Sequence, residues 1–362
     1  MTDPAAFRAQ FPVLERRAYL NAGTEGPIPI AAADAVRARV DRDTTDGRCG
    51  RGYFDEVMAL ADASRAGYAA VLGAAAEHVA LTGSTTDGLN TVIGGLRLGR
   101  GDEILTTDQE HPGLLAPLRR ARVLHGVSLR VVPFAEIAGE IGPSTRLVAC
   151  SHVSWVNGGI ADVPALRAGG VPFVLDAAQG LGAIPVDVEA LGCDFYAASG
   201  QKWLCGPEGS GCLYVRPDRL DDLEPPWPGY STLADHEDIL GSGLADGAKR
   251  LDNGFPSAIR SAWATASLEV LAAAGWEWVH ERAATLAQRL ADRLAERGLT
   301  VQPRGRSTLV SWSVADAPAE VERLAAAGII VRSIPMGNLI RASVGAWSSE
   351  DEVERLADLA AV

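Results

Sequence analysis

Only two lysines occur among the 362 residues, Lys202 and Lys249, and arginine accounts for the rest of the 33 basic residues. An imine with a carbonyl compound requires an amine, which arginine cannot supply because its guanidinium group stays protonated. Lys202 follows an apolar segment and is itself followed by Trp203 and Leu204, whereas Lys249 lies in a polar stretch. Lys202 is therefore the candidate for amine chemistry, and Lys249 is expected to be an ordinary exposed side chain.

Three further groups of polar residues follow strand-like segments. Ser84-Thr85-Thr86 opens a predicted helix, so its hydroxyl and N–H groups suit a phosphate, or simply cap the helix. His111 lies between a strand and a helix, where an imidazole stacks on an aromatic cofactor, moves a proton or caps the helix. Asp176 ends a hydrophobic strand and needs a partner such as a heterocycle nitrogen or the N–H groups of the next helix.

The elements that would position these residues alternate along the chain between short apolar strands and amphipathic helices. This alternation predicts an α/β protein with a mostly parallel sheet. Ligands of such sheets bind beyond the carboxyl ends of the strands, which is where the polar residues above occur. From about Ser257 onward, long Ala- and Leu-rich helices lead to strands near 308–314 and 339–344, which predicts a second, smaller α+β domain.

The composition excludes several classes of function. With a net charge of −13, the chain lacks the basic face that nucleic acids or anionic membranes require. Its five cysteines show no metal-ligand spacing, so neither a metal site nor a disulfide framework is expected. We see no signal sequence and no apolar run that could span a membrane, and we therefore expect a soluble, cytoplasmic protein.

The order of the chemical features is more specific than any one of them. A phosphate-type turn, a histidine, a strand-end aspartate followed by Gln179, and then Lys202 resemble the class V aminotransferase family of pyridoxal 5′-phosphate (PLP) enzymes, in particular its cysteine desulfurase-like group. The resemblance covers nearly the whole chain. It implies the PLP-dependent transferase fold (fold type I), with a seven-stranded, mostly parallel sheet flanked by helices, and a homodimer with shared active sites. It also implies an N-terminal segment (1–20) packed on the small domain, a large domain (21–255) and a small domain (256–362).

The resemblance assigns a role to each matching residue. The catalytic residues are the lysine that holds PLP as an imine, the aspartate that pairs with the pyridine nitrogen and the histidine that stacks on the ring: Lys202, Asp176 and His111. The other cofactor contacts, to the phosphate, the ring oxygen O3′ and the second ring face, fall on Ser84, Thr85, Thr86, Ser199, Gln201, Gln179 and Ala178. Arg341 matches the arginine that binds the substrate α-carboxylate, and Asn21, Trp155 and Asn157 complete the predicted substrate site.

Four positions depart from the family pattern. Gln201 replaces a histidine next to the lysine, so an amide takes the place of one phosphate ligand. Phe255 replaces a threonine that reaches the phosphate across the dimer, which leaves the backbone or Ser257 to serve there. Trp155 occupies the place of a common asparagine. No cysteine follows Cys212, whereas cysteine desulfurases use a thiolate in the C-terminal third of the chain. This last departure disfavours a desulfurase that forms an enzyme-bound persulfide.

The segments around Asn21, His111 and Trp155 resemble the cyst(e)ine C–S lyase branch most closely. The implied reaction is β-elimination from cysteine, cystine or an S-substituted cysteine, including sulfoxide conjugates, to a sulfur product, pyruvate and ammonia. The alternatives are a class V aminotransferase, an epimerase or a desulfurase-like enzyme acting on another amino acid, and also a non-catalytic protein of the same fold. A nicotinamide-dependent enzyme is disfavoured because the glycine-rich fingerprint is missing. The loops at Arg48–Arg51 and Trp227–Tyr230 either line the substrate entrance or are exposed turns.

Overall fold

The computed structural model describes residues 2–252 and 254–360 of the chain. Its strands are β1 (Ala18–Tyr19), β2 (Val79–Thr82), β3 (Glu103–Thr107), β4 (Ser128–Val132), β5 (Thr145–Ser151), β6 (Phe173–Asp176), β7 (Phe195–Ser199), β8 (Gly211–Val215), β9 (Leu309–Ser313), β10 (Ile329–Ile330), β11 (Arg332–Ile334) and β12 (Leu339–Ser343). Its helices are α1 (Pro4–Arg8), α2 (Ile30–Thr45), α3 (Gly50–Leu72), α4 (Thr85–Gly95), α5 (Pro112–His125), α6 (Val163–Ala168), α7 (Val188–Leu191), α8 (Ala258–Ala274), α9 (Trp276–Glu296), α10 (Ala317–Ala326) and α11 (Glu350–Ala360).

A seven-stranded sheet forms the larger part of the molecule, in the order β2-β8-β7-β6-β5-β3-β4. Strands β3 to β7 are parallel, and β8 is antiparallel to both of its neighbours. The predicted α/β fold with a mostly parallel seven-stranded sheet is therefore confirmed. Because β3, β5, β6 and β7 run in the same direction, their carboxyl ends meet at one edge and bring distant polar residues together.

Both faces of this sheet are buried, as a parallel sheet between helices requires. Successive residues of a strand point to opposite faces. In β6, Phe173 and Leu175 join one hydrophobic cluster, whereas Val174 joins the cluster on the other side. Each side chain of this kind contributes about 1.5–3 kcal/mol to folding when it is fully buried. The apolar core thus fixes where the strand ends lie.

A second, three-stranded antiparallel sheet has the order β11-β12-β9. Apolar side chains from α9 and α11, such as Leu290 and Leu356, form one cluster with Trp312 and Ile340 of this sheet. The N-terminal segment joins the same part of the molecule, since β1 pairs in parallel with β10. Asn21 then forms an isolated bridge with Ser343.

Helix α8 packs against α2 and α3, although we placed it in the small domain. The Ser64 hydroxyl donates to the carbonyl of Ser261 over 3.1 Å, and Leu268 joins the cluster of Tyr68 and Leu72 beside the large sheet. We therefore propose that the domain boundary lies after α8, near Gly275, rather than at 255. Met1 and residues 361–362, the outer ends of the predicted ranges, lie outside the described residues.

Within the described ranges, no helix combines the length and the hydropathy that a membrane crossing demands.

Candidate active site

A cavity of about 240 Å³ opens where the carboxyl ends of the large sheet face the small sheet. The residues that line it come from eight separate stretches of the chain. They are Gly23, Thr24, Ser84, Thr85, Thr86, His111, Trp155, Asp176, Ala178, Gln179, Ser199, Gln201, Lys202, Arg332 and Arg341. All ten predicted cofactor-binding residues thus lie around one cavity, together with Arg341 and Trp155 of the predicted substrate site.

Lys202 lies in the loop after β7, and the chain on both sides of it is held by hydrogen bonds. The carbonyl of Gln201 accepts from the N–H of Gly26 over 2.7 Å, and the carbonyl of Lys202 accepts from Cys205 over 3.1 Å. Burial lowers the pKa of Lys202 to about 8, with Asp176 acting in the opposite direction and the charge of Arg341 in the same one. A lowered pKa leaves more of the amine neutral, and therefore nucleophilic, near pH 7.

Asp176 is buried at the end of β6, and its carboxylate accepts from the N–H of Ala178 over 3.0 Å. Burial raises the pKa of Asp176, while the Ala178 hydrogen bond and the nearby Lys202 lower it.

The amide group of Gln179 is held by hydrogen bonds through both its nitrogen and its oxygen. Its nitrogen donates to the carbonyl of Gly23 over 2.8 Å, and its oxygen accepts from the indole of Trp203 over 3.0 Å. The amide nitrogen retains one hydrogen for a ligand.

Hydroxyl groups and a helix N-terminus form one end of the cavity. Ser84 caps α4 by accepting from the N–H of Asp87, and Asp87 in turn accepts from the N–H of Gly83 over 2.7 Å. These two hydrogen bonds fix the first turn of the helix, whose N–H groups favour an anion. The Thr85 hydroxyl donates to that of Ser199 over 3.0 Å, which joins α4 to the end of β7.

His111 caps α5 through its ring, because Nδ1 accepts from the N–H of Gly113 over 3.0 Å. This bond places the proton of the neutral imidazole on Nε2. Burial, together with the charges of Lys202, Arg332 and Arg341, lowers the pKa of His111 to about 4. The ring is therefore uncharged near pH 7, as suits a group that stacks on a cofactor ring.

Glu110, next to His111, ties the turn that carries the histidine to the neighbouring strand. Its buried carboxylate accepts from the hydroxyls of Thr107 and Ser151, each over 2.6 Å, and from the N–H of Ser151 over 3.0 Å. Burial raises the pKa of Glu110 to about 7, although these hydrogen bonds lower it. The position of His111 thus depends on a cross-link between the ends of β3 and β5.

Two arginines from the small sheet reach the cavity. Arg341 is completely buried, and its Nη1 donates to the carbonyl of Trp155 over 2.7 Å. Its Nε and Nη2 have no hydrogen-bond partner among the described residues, and burial lowers its pKa to about 9. A guanidinium with two free donors in this position suits a bidentate carboxylate ligand. Arg332 lies opposite Arg341 in the β11–β12 ladder.

Two predicted substrate residues do not line this cavity. The side-chain oxygen of Asn21 accepts from the Thr24 hydroxyl over 2.9 Å, and that of Asn157 accepts from the N–H of Gly159 over 2.9 Å. Both side chains therefore stabilise local turns. The loops at 48–51 and 227–230 are also absent from the cavity lining, and Trp227 and Tyr230 are largely exposed.

The sequence interpretation missed Gly23, Thr24 and Arg332. A signal for Arg332 does exist, because Pro335-Met336-Gly337-Asn338 is a four-residue turn between two apolar strands. Pairing the strands around such a turn aligns Arg332 with Arg341, as the ladder shows. No comparable local signal exists for Gly23 and Thr24, which reach the site through pairing between the N-terminal segment and the small sheet.

Comparisons with known proteins give a consistent result. The family model described as aminotransferase class-V matches residues 48–356. Isopenicillin N epimerase of Streptomyces clavuligerus is 30% identical over 379 residues, which cover 94% of this chain and 93% of that protein. The cysteine desulfurase of Serratia proteamaculans is 29% identical, over 96% of this chain and 95% of its own.

Among solved structures, the cystine C–S lyase C-DES in complex with its reaction product cysteine persulfide has a TM-score of 0.93 and 27% identity. The match covers 97% of this chain and 99% of that one. A mutant of C-DES with glycine covalently linked to the PLP cofactor matches equally well, with a TM-score of 0.93 over 98% of each chain. A carboxylate, a lysine amine, a neutral histidine and a hydroxyl-rich helix N-terminus around one cavity are the donor set that PLP requires.

Proposed function

Because the chain belongs to the aminotransferase class-V family and is a PLP-dependent enzyme, we propose that it is a carbon–sulfur lyase. Its substrate would be cysteine, cystine or another S-substituted cysteine. The S-substituted cysteines include sulfoxide conjugates. The products are a thiol, sulfide or persulfide together with pyruvate and ammonia. The cystine C–S lyase and the cysteine desulfurase among the similar proteins both act on this class of substrate by name.

The observation that carries this proposal is the position of the cysteines. None of the five lines the cavity in the described part of the chain, and no cysteine follows Cys212 in the sequence. Cys49 is exposed at the start of α3, and the other four are buried. Burial raises the pKa of these four thiols, for example that of Cys150 well above its ordinary value. No cysteine in the described part of the chain is therefore placed at the cavity to accept sulfur from the substrate, which favours elimination over persulfide transfer.

The residues around the cavity have distinct roles in elimination. Arg341 binds the substrate α-carboxylate through its two free donors. When bound, PLP supplies an electron-accepting ring that stabilises negative charge at the substrate Cα. Asp176 would hold the ring nitrogen, and the Lys202 amine would remove the Cα proton. The electron pair left on Cα then forms a double bond to Cβ as the Cβ–S bond breaks and its electron pair leaves with the sulfur atom. Water hydrolyses the released enamine to pyruvate and ammonia.

Arg332 favours substrates that carry a second acidic group. It lines the same cavity as Arg341, and its hydrogen-bond partners in the described residues are neutral, the hydroxyl of Thr24 and the carbonyl of Ser333. Burial lowers the pKa of Arg332, so an anionic ligand would offset the cost of keeping its charge there. Cystine has a second carboxylate on its distal half, and within the proposed substrate class it makes use of both arginines.

The test is product analysis with the purified holoenzyme. We expect stoichiometric pyruvate and ammonia from L-cystine or from S-substituted cysteines such as S-methyl-L-cysteine. Lys202→Ala should release no pyruvate, whereas Lys249→Ala, which changes the only other lysine, should retain activity. Formation of alanine with sulfur retained on the protein would contradict the proposal.

Epimerisation is a second candidate, because the chain is 30% identical to isopenicillin N epimerase over most of its length. It shares removal of the Cα proton but requires no leaving group. Incubation in deuterated water distinguishes the two reactions. An epimerase incorporates deuterium at Cα of its substrate and releases no pyruvate. The lyase converts its substrate to pyruvate.

We also propose that the enzyme is a cytoplasmic homodimer with shared active sites. The rings of Phe54 and Phe255 contact each other with centroids 5.9 Å apart, yet both side chains are at least half exposed. Exposed aromatic pairs of this kind are typical of protein interfaces. The five cysteines are all free thiols, which fits a reducing compartment.

A further inference from the structure

Trp155 lies in the turn that follows β5, and it contacts cavity residues from three other elements. Its indole ring meets the His111 ring edge-on, with centroids 4.9 Å apart and planes at 84°. The guanidinium carbon of Arg332 lies 5.9 Å from the centre of the indole ring. The carbonyl of Trp155 accepts from Nη1 of Arg341 over 2.7 Å. One residue therefore connects the start of α5 to β11 and β12.

The hydrogen bonds of Arg332 are at or beyond the long end of the usual range, so the contact with Trp155 adds to its placement. Its Nη1 donates to the hydroxyl of Thr24 over 3.2 Å, and its Nε donates to the carbonyl of the adjacent Ser333 over 3.4 Å. Arg341 lies directly opposite in the ladder, and like charges in that arrangement repel each other. The face of an indole ring attracts a cation, so Trp155 opposes the displacement of Arg332 away from the cavity.

The same ring is enclosed by the protein. Trp155 is 6% exposed, and it belongs to a small cluster with Val156, Ile334 and Leu339. Ile334 and Leu339 are paired residues of the β11–β12 hairpin, on which Arg332 is carried. The indole therefore packs on the hairpin itself, and its position relative to Arg332 is fixed by apolar contacts.

We propose that Trp155 is a positioning residue that sets substrate specificity, because it holds Arg332 at the cavity wall as the receptor for a second acidic group on the sulfur substituent. This inference rests on the proposed function. Substrates with a single carboxylate need only Arg341, whose bond to Trp155 uses the backbone carbonyl and survives substitution of the side chain. Loss of the indole should therefore weaken the binding of L-cystine more than that of S-methyl-L-cysteine.

The experiment compares Trp155→Leu, which keeps apolar volume, with Trp155→Phe, which keeps an aromatic ring. Dissociation constants for both amino acids are measured from the absorbance of PLP-loaded Lys202→Ala protein, in which turnover is blocked. KM and kcat are measured separately with Lys202 present. We expect Trp155→Leu to raise the ratio of the L-cystine constant to the S-methyl-L-cysteine constant about threefold to tenfold, and Trp155→Phe to raise it less.

An Arg332→Gln background separates positioning from a general structural effect. There, Trp155→Leu should leave the ratio unchanged, because the cation that the ring holds has been removed. Equal weakening of both ligands by Trp155→Leu, or an undiminished effect in the Arg332→Gln background, would overturn the inference. If Trp155→Leu does not fold, Trp155→Met, which is also apolar and has no aromatic ring, takes its place in both backgrounds. The proposed function fails separately, when the wild-type enzyme releases no pyruvate although the binding ratio behaves as expected.

Discussion

Lys202 differs from an ordinary lysine in how readily its amine loses a proton. Burial lowers its pKa from 10.5 to about 8, so that about a tenth of the amine is neutral at pH 7. We therefore expect the rate at which the apoenzyme captures PLP to rise about tenfold per pH unit below pH 8 and to level off above it. Stopped-flow absorbance measures this rate. A rate that continues to rise up to pH 10 would show that the amine is not perturbed.

The matched control for this measurement is the second lysine. Lys249 is partly exposed and lies 3.8 Å from a carboxylate oxygen of Asp62. Lys249→Ala should show the same capture profile as the wild-type protein, whereas Lys202→Ala should form no covalent adduct with the cofactor. Because these are the two lysines of the sequence, the two substitutions together identify the amine that binds the cofactor.

Glu110 gives a prediction about stability at the same scale. Burial raises its pKa from 4.5 to about 7, so the folded protein binds more protons than the unfolded chain between these pH values. The free energy of unfolding should therefore fall as the pH rises through this range. Glu110→Gln removes the titrating group. The Tm of this variant minus the Tm of the wild-type protein should therefore be larger at pH 8 than at pH 5. A difference in Tm that is independent of pH would contradict this.

At the scale of elements, α8 holds the loop that carries the lysine. The carbonyl of Cys205 accepts from the indole of Trp263 over 2.9 Å and from the hydroxyl of Ser267 over 2.8 Å. Cys205 has φ = 56°, a left-handed conformation that a non-glycine residue adopts at a cost of about 1–3 kcal/mol. The two hydrogen bonds from α8 help to keep the chain in this conformation three residues after Lys202.

Removing both donors should cost more than the two single losses together. Trp263→Phe and Ser267→Ala should each lower the free energy of unfolding by about 1 kcal/mol, since one donor remains. The double variant leaves the buried carbonyl without a donor among these side chains and should lose about 3 kcal/mol. Urea denaturation of the apoenzyme measures all three variants, and strictly additive losses would show that the two bonds act independently.

The strand ends could be predicted from the sequence because each polar residue there follows an apolar run. His111, Asp176 and Lys202 all lie where the pattern placed them, around one cavity. Arg332 was missed because its placement depends on the register of a hairpin, although the turn at 335–338 contained that information. Thr24 could not be found from local pattern, since only pairing with strands more than 300 residues away brings it to the site.

At the scale of the whole molecule, the exposed aromatic pair tests the proposed dimer. Phe54→Asp with Phe255→Asp places charges on the surface that we expect a second copy to cover. The double variant should be monomeric in size-exclusion chromatography with light scattering, and it should retain less PLP than the wild-type protein. Val123→Asp is the control, because Val123 is equally exposed but lies on α5. A wild-type protein that is itself monomeric would contradict the proposed assembly.

The pairing of the N-terminal segment with the small sheet has a consequence for how the protein is made. Ala18 pairs with Ile329, and Asn21 bridges to Ser343, so these contacts join the first part of the chain to nearly the last. A ribosome must synthesise almost the entire chain before they form, whereas the large sheet is complete at Val215. Contacts so distant in sequence also form slowly. In the nascent chain, the cavity residues of the large sheet are therefore exposed to solvent until β10 and β12 have been synthesised. The site is complete only when the N-terminal segment pairs with these strands.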